Sequence, residues 1–511
     1  MVAVTLSAAC EDFLDVNTSP NAPETVTANL YLPPMIHWMV LSPQYDGRFV
    51  GRFTQQWTLP GTSLTNWDRM GYDPPPSDNG AQQWREVYWT FGQNLVDMMQ
   101  KSEAEERWDL LGVGYILKAW GWQVLTDLHG EIIVKEAIDQ SKFNFNYDTQ
   151  EFAYQEVQRL LGKAIEYLQK TDGAVDVTYL ARGDKIYNGD RTKWLKLAYG
   201  MLALNLSHYS NKAAYKPDDV IAAVDKSFTS NADDALLTFP VTTNDDTNFW
   251  GRTRDNITNY RQTQFILNLM NGAQFGGVVD PRMSRMLSPS LDGQYRGLDI
   301  NVVGFGALTT DQRPNNFHGY AGTGGVNLPG RYLFDNKAKM PVMTYAQLQF
   351  IKAEAAYKKG DLATAKAAYT AGVTAHLDWV NARNSDAGQS PTQITAAEKA
   401  AFLASPAIVP AQITLSHIMC QKYIALWAWG HNEIWMDMRR YHYTDMDPVS
   451  GTQVFRGFAP PTNLYPDNSA KVVQRIRPRY NSEYVWNIPA LQAIGGLALD
   501  YHTKPLWITE R

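Results

Sequence analysis

A chain of 511 residues, 44% hydrophobic and 19% charged, has the composition of a globular protein able to bury a large core, and not that of a disordered or fibrous one. Its formal net charge of −6 comes without any long run of Lys or Arg, so the electrostatic footprint of a nucleic-acid binder is missing and no nucleic acid is expected as a partner. Two cysteines cannot build a disulfide framework or a zinc site, whereas 16 Trp, 27 Tyr and 19 Phe exceed the ordinary needs of a core and place some aromatics at a binding surface.

The stretch Leu6-Ser7-Ala8-Ala9-Cys10 resembles a bacterial lipoprotein cleavage box, in which small residues let a peptidase read extended backbone and the thiol accepts lipid. Cys10 is therefore the expected lipidation site, and residues 1–10 read as the end of a truncated signal, because a full one needs a basic region and about 7–15 apolar residues. Elsewhere no apolar run reaches the ~18 residues needed to cross a bilayer, so membrane contact is expected through this anchor alone. Residues 11–30, polar and punctuated by Pro20 and Pro23, form a tether that precedes a helix.

Residues 54–80 lack periodicity and carry Gln55-Gln56-Trp57, Asn66-Trp67-Asp68-Arg69, Tyr72 and Pro74-Pro75-Pro76. Helices follow at 81–100 and 108–128, the second with Trp108, Leu111, Tyr115, Ala119 and Trp122 on one face and further apolar residues behind it, as a buried helix requires. An amphipathic helix at 150–170 shows Phe152, Val157, Leu160, Leu161, Ile165 and Leu168, and a turn at Asn188-Gly189-Asp190 opens another at 191–210. Length pairs 108–128 with 150–170 and 191–210 with 217–229 as antiparallel hairpins. Between about 231 and 341 Gly, Asn, Asp, Thr and Pro dominate, and long irregular connections in compact proteins are usually functional.

At 344–380 the spacing predicts a tetratricopeptide-like hairpin: Ala353 and Ala365 let two helices approach, Gly360-Asp361 supplies the turn, and Tyr369 fills the groove. A last helix at 411–430 pairs with the segment after it and holds Cys420 as a buried free thiol.

No H-E-x-x-H, G-x-S-x-G or Walker loop occurs, and Gly304-x-Gly306 lacks a third glycine. Asp127 and Glu131, four apart at a helix end, are the best hydrolase pair, although a carboxylate there ordinarily ties the turn. His431 and Glu433, two apart, diverge on a helix, and Asp73, Asp78 and Asn79 lack calcium-loop spacing; no metal and no cofactor is expected. Arg439-Arg440 after Trp435 can be read as an anion clamp.

The tryptophans at 84, 89, 108, 120, 122 and 194 recur at helical spacing among apolar residues and are assigned to the core. Trp67, Trp250 and Tyr260 instead sit among Asn, Asp, Arg, Gly and Thr. Sugar rings have flat C–H faces rimmed by hydroxyls, which suits an aromatic platform bordered by amides, carboxylates and guanidinium groups. The expected ligand set is Trp67 and Trp250 as platforms, Tyr72, Tyr260 and Tyr320 as lesser walls, and Asn66, Arg69, Asn248 and Arg252 as hydrogen-bonding partners.

Several stretches in order resemble the SusD/RagB family of Bacteroidota outer-membrane lipoproteins. Cys10-Glu11-Asp12-Phe13-Leu14-Asp15 with Asn17 to Pro23 resembles their mature start, and Leu125 to Glu131 resembles a T-D-x-x-G-D helix end, with His129 and Glu131 where members more often have Tyr and Asp. Tyr187-Asn188-Gly189-Asp190 with Lys193-Trp194, Ala353-Glu354-Ala355 with Gly360-Asp361, Glu433 to Arg440, and Arg475 to Asn487 continue the likeness to the closing motif. For Arg439-Arg440 the resemblance implies a structural helix end instead of an anion clamp.

The resemblance implies a mainly α fold: residues 31–511 as one SusD-like unit, with four tetratricopeptide-like helix pairs over about 108–230 and 344–440, an irregular ligand lobe from 54–80 and 231–341, and a closing segment 441–511. It also implies a cell-surface binding protein, not an enzyme, anchored by lipid in the outer membrane and paired with a SusC-like TonB-dependent transporter. Its cargo would be an oligosaccharide, or a peptide as in the RagB branch. A helical carbohydrate-active enzyme is the third reading.

Overall fold

The structure, a computed structural model, describes residues 26–61, 64–302, 305–319, 330–386 and 392–511. Cys10, the tether as far as residue 25, and Tyr320 lie outside the described residues.

Leu32 to Phe53 forms the first long helix (α1), opened by prolines at its first positions, where the missing N–H would have had no partner. It buries Met35, Ile36, Met39, Val40 and Val50. Helix α2 (Gly92–Ala104) follows a π-turn, Glu86–Phe91, that continues the short helix Gln82–Arg85. Then come α3 (Trp108–His129), α4 (Gln150–Gln169), α5 (Arg191–His208), α6 (Pro217–Asp225), α7 (Tyr345–Lys359), α8 (Leu362–Ser385), α9 (Leu415–Leu426) and α10 (His431–Arg440).

These helices pack as the pairs α3/α4, α5/α6, α7/α8 and α9/α10, and successive pairs stack through α4 on α5, α6 on α7 and α7 on α9. Each pair leaves an apolar face that only the next can cover, the logic of a helical repeat. Boundaries follow local chemistry. Thr149 and Asp190 accept backbone N–H groups at the starts of α4 and α5. Gly360 ends α7 in the left-handed region at φ 86, and Asp361 accepts the Thr364 N–H at 3.0 Å to start α8. Ala353 and Ala365 are fully buried, and Tyr369 donates to the Ile408 carbonyl at 2.7 Å.

Helix α1 lies against α10 so closely that a Cβ at Gly47 would sit 2.2 Å from the His431 ring. His431 bonds Gln56 and Gln44 through its two ring nitrogens, each at 3.0 Å, and burial lowers its pKa to about 3.

Two small antiparallel ladders organise the irregular parts. Strand β1 (Trp57–Thr58) pairs with β3 (Arg261–Gln262), joining the 54–80 and 231–341 segments. Strands β2 (Ala235–Leu237) and β4 (Met340–Met343) pair at the two ends of the long segment, so the chain leaves the helical stack and returns to it at one place.

A buried ionic network runs through the stack. Lys422 on α9 meets Glu433 at 2.7 Å and Asp437 at 2.8 Å on α10, while Arg440 reaches Glu354 on α7 at 2.7 Å. Arg439 donates to the carbonyls of Asp127 and Gln474 at 2.7 and 2.8 Å, so both arginines tie elements together inside the protein. Asp127 accepts from Gln123 and Tyr154, whereas Glu131 pairs with Arg475 and Lys504, which assigns the two carboxylates to separate structural contacts. Among the described residues, no helix is long and apolar enough to cross a membrane.

Candidate functional site

The turn at 65–71 is welded in place by one carboxylate. Asp68 accepts two guanidinium bonds from Arg52 at 2.9 Å, the Thr58 hydroxyl at 2.9 Å and the Thr65 hydroxyl at 2.6 Å. This fixed turn points Trp67 inward: the residue is 3% exposed and packs on Phe49 and Phe53 with ring centroids at 4.8 and 5.3 Å. A Cβ at Gly80 would come within 2.8 Å of the indole, so glycine there makes room for it. Its Nε1 is buried without a partner among the described residues.

Trp67 therefore corrects the expectation of a solvent-facing platform, and so does Trp250. The latter is fully buried, and its Nε1 donates to the Gln44 side chain at 3.0 Å and the Ala428 carbonyl at 2.9 Å. Asn248, also buried, donates to the carbonyls of Leu333 and Ala338 and accepts the Trp250 N–H, so its amide ties the loop and has no reach to a ligand. Polar neighbours in sequence marked a buried polar knot, because the partners of these groups come from α1 and from the chain beyond residue 330.

Arg69 is likewise committed, donating to the Asn463 carbonyl and side chain at 3.0 Å and the Leu464 carbonyl at 2.9 Å. Asn66 is half-buried and accepts the Gly71 N–H on its carbonyl. Tyr260, half-buried, lies edge-on to Trp57 at 6.4 Å, and burial raises its pKa. Arg252 is half-buried in the same lobe, where burial and then its charge lower the pKa of His318 to about 4.

Trp67 and Tyr72 share a cleft of about 230 Å³ between residues 71–81 and 475–502. Tyr72 donates to Asp467 at 2.7 Å, and burial followed by that bond raises its pKa to about 12. The Arg477 guanidinium lies 4.3 Å from the Tyr72 ring centroid, held there by bonds to the carbonyls of Ala498 and Leu499. Opposite, Tyr480 and Tyr484 stack with centroids 5.7 Å apart and planes 12° from parallel. Asp73 and Asn79, bonded to each other at 2.7 Å, bring a carboxylate and an amide to the same cleft. Flat aromatic walls beside fixed polar groups suit a ligand with apolar faces and many hydroxyls.

Sequence reasoning missed Arg477, Tyr480 and Tyr484 as site residues. The i,i+4 spacing of the two tyrosines in a polar stretch was the available signal, but their partner, the 71–81 loop, lies 400 residues away in the chain and no local pattern links them.

The helical tryptophans divide too. Trp84, Trp120, Trp122 and Trp194 are buried as expected and Trp108 is half-buried, but Trp89 is 66% exposed, a correction to its assignment to the core. The π-turn carrying it shifts the register of side chains by one position per turn, which takes Trp89 off the inner face.

No curated protein matches the chain in sequence. Solved structures with the same fold include a SusD/RagB family protein from Bacteroides thetaiotaomicron, 21% identical with a TM-score of 0.70, the match covering 95% of this chain and 99% of that one. A SusD homolog from Bacteroides fragilis is 20% identical, with a TM-score of 0.71 and coverage of 95% and 100%. A chitin-binding SusD homolog from Flavobacterium johnsoniae is 19% identical, with a TM-score of 0.67 and coverage of 94% and 98%. The profile of a SusD-like family, described as starch-binding associating with outer membrane, matches residues 20–466, and the chain belongs to that family.

Proposed function

We propose that this protein binds oligosaccharide at the cell surface and delivers it to a partner SusC-like TonB-dependent transporter, with Cys10 as the lipidated anchor in the outer membrane. The observation that carries the reading is the cleft where Tyr72, Tyr480 and Tyr484 meet Arg477, Asp73 and Asn79 over the buried Trp67, in a chain of a starch-binding family. At about 230 Å³ the cleft is smaller than the ~300 Å³ of sites that enclose a whole small ligand, which suits gripping part of a longer chain. Asn66 and Arg69 belong to the turn that carries Trp67, and Tyr260 and Arg252 are secondary candidates in the 231–341 lobe.

Titrating the full chain with maltohexaose, chitohexaose and a hexapeptide mixture tests the ligand class. Binding of a glycan, weakened at least ~10-fold in Tyr72→Ala at unchanged melting temperature, is the expected result. Binding of the peptides alone selects the RagB-like reading, and release of reducing ends from either glycan selects an enzyme. A precursor carrying Cys10→Ala should leave the membrane fraction, and mild-detergent purification of the native protein should bring a porin-sized companion with it.

A further inference from the structure

On the other side of residues 478–483 lies a second, larger cleft of about 540 Å³ that the function above does not use. Its exposed aromatic wall is Trp89. The Arg85 guanidinium covers one face of that indole at 4.3 Å from the ring centroid, and Arg85 is held by a 2.9 Å ion pair to the buried Glu86. The indole is therefore held in place while 66% of the residue stays open to solvent, a costly arrangement for a tryptophan.

Facing it are Ala137 and Ile138, above a floor that includes Tyr88 and Ile133. Tyr88 donates to the Ile133 carbonyl at 2.7 Å and accepts the Ile133 N–H at 2.9 Å, so its hydroxyl is spent and the ring offers the cleft an apolar surface.

One polar group in the cleft is incompletely used. Glu483 is 5% exposed, and Tyr147 and Asn487 both donate to its Oε2, at 2.6 and 2.8 Å. Its Oε1 has no donor among the described residues. Unlike the Trp67 Nε1, this oxygen is not closed off from solvent, so it is open to a ligand hydroxyl in the cleft. Two further exposed aromatics flank the cleft in sequence: Phe143, beside the lining residue Lys142, and Trp486, one turn past Ser482, are 89% and 74% exposed.

We propose that this cleft is a second oligosaccharide site, with Trp89 as its stacking platform and the free Glu483 oxygen as acceptor for a sugar hydroxyl. The inference rests on the carbohydrate reading of the first cleft. A pyranose has both a C–H face to stack on the indole and hydroxyl donors for the open Glu483 oxygen, whereas a fatty chain has no donors. Since the 478–483 segment forms a wall of both clefts, the two sites lie back to back, and one chain has the means to hold two strands of a polysaccharide or two points on one strand.

The test is calorimetric titration of the full chain with maltohexaose, chitohexaose and the hexapeptide mixture, using wild type, Trp89→Ala, Ala137→Arg and Tyr72→Ala. Ala137→Arg fills the cleft from the opposite wall and leaves the indole in place, so agreement between it and Trp89→Ala separates loss of the site from a folding defect. The expected result is two sites in wild type for one glycan, with one lost or weakened at least ~10-fold in Trp89→Ala and in Ala137→Arg, and the other in Tyr72→Ala. Loss of all binding in the two cleft variants with none in Tyr72→Ala also supports this site and removes the first. Wild-type stoichiometry and affinity in both cleft variants, with Tyr72→Ala impaired, overturns the second site while the carbohydrate reading stands. A wild type that binds neither glycan, or only the peptides, overturns both.

Discussion

Trp250 and Tyr72 show what separates a core aromatic from a binding one. Both stand in polar, irregular sequence, yet Trp250 has two acceptors for its indole N–H and no exposed surface, while Tyr72 lines a cleft with part of its ring accessible. Truncating a fully buried tryptophan removes its transfer free energy and leaves a cavity. Trp250→Ala is therefore expected to lower the unfolding free energy by ~3–5 kcal/mol, and Tyr72→Ala by much less. Urea denaturation of the two variants checks this, and equal losses would place Tyr72 in the core as well. The assignment of Trp250 to a platform failed because sequence neighbours are a poor guide where a residue's contacts come from elsewhere: its acceptors are Gln44 on α1 and Ala428, just after α9.

At the scale of single elements the sequence was most readable where capping chemistry is local. Gly360 and Asp361 mark the α7/α8 turn because only glycine adopts the left-handed conformation at no steric cost and only a short polar side chain reaches the first free N–H groups of α8. Gly360→Ala places a Cβ in that conformation, although nothing else lies within 4 Å of it, so the cost is conformational alone. We expect a loss of ~1–2 kcal/mol for Gly360→Ala and ~1 kcal/mol for Asp361→Ala, read from chemical denaturation, with ligand affinity unchanged because the hairpin lies away from both clefts. A change in affinity would show that the hairpin helps to form one of them.

At the scale of the whole molecule, the buried ionic network joins elements far apart in the chain and makes stability depend on pH. His208 on α5 donates toward Glu433 of α10 at 2.9 Å and lies beside Asp127 of α3, Tyr154 of α4 and, through Glu433, Lys422 of α9. Burial opposes charge on its ring, but the two carboxylates outweigh burial and raise its pKa to about 9 from an ordinary 6.5. A raised folded-state pKa means that the stabilisation is complete below about pH 6.5 and is lost as pH rises through about 9. At ~1.4 kcal/mol per pKa unit, the stability advantage of wild type over His208→Gln should shrink by ~3 kcal/mol over that interval. Denaturation curves of both proteins from pH 6 to 9.5 test it; parallel stabilities would mean that His208 is neutral in the folded protein.

The sequence by itself determined the helical class, the paired helices and their caps, because amphipathic periodicity, glycine at a helix end and a polar side chain at a helix start act over a few residues. Its ordered motifs also placed the chain in its family. Tertiary structure decided which aromatics face a ligand. Burial of Trp250 depends on α1 and the residues before α10, and exposure of Trp89 depends on a π-turn that helical spacing does not reveal. Both clefts share a wall at residues 478–483, brought from the far end of the chain against residues 71–93 and 133–145. Such contacts are set by packing over hundreds of residues, and no local pattern in the chain encodes them.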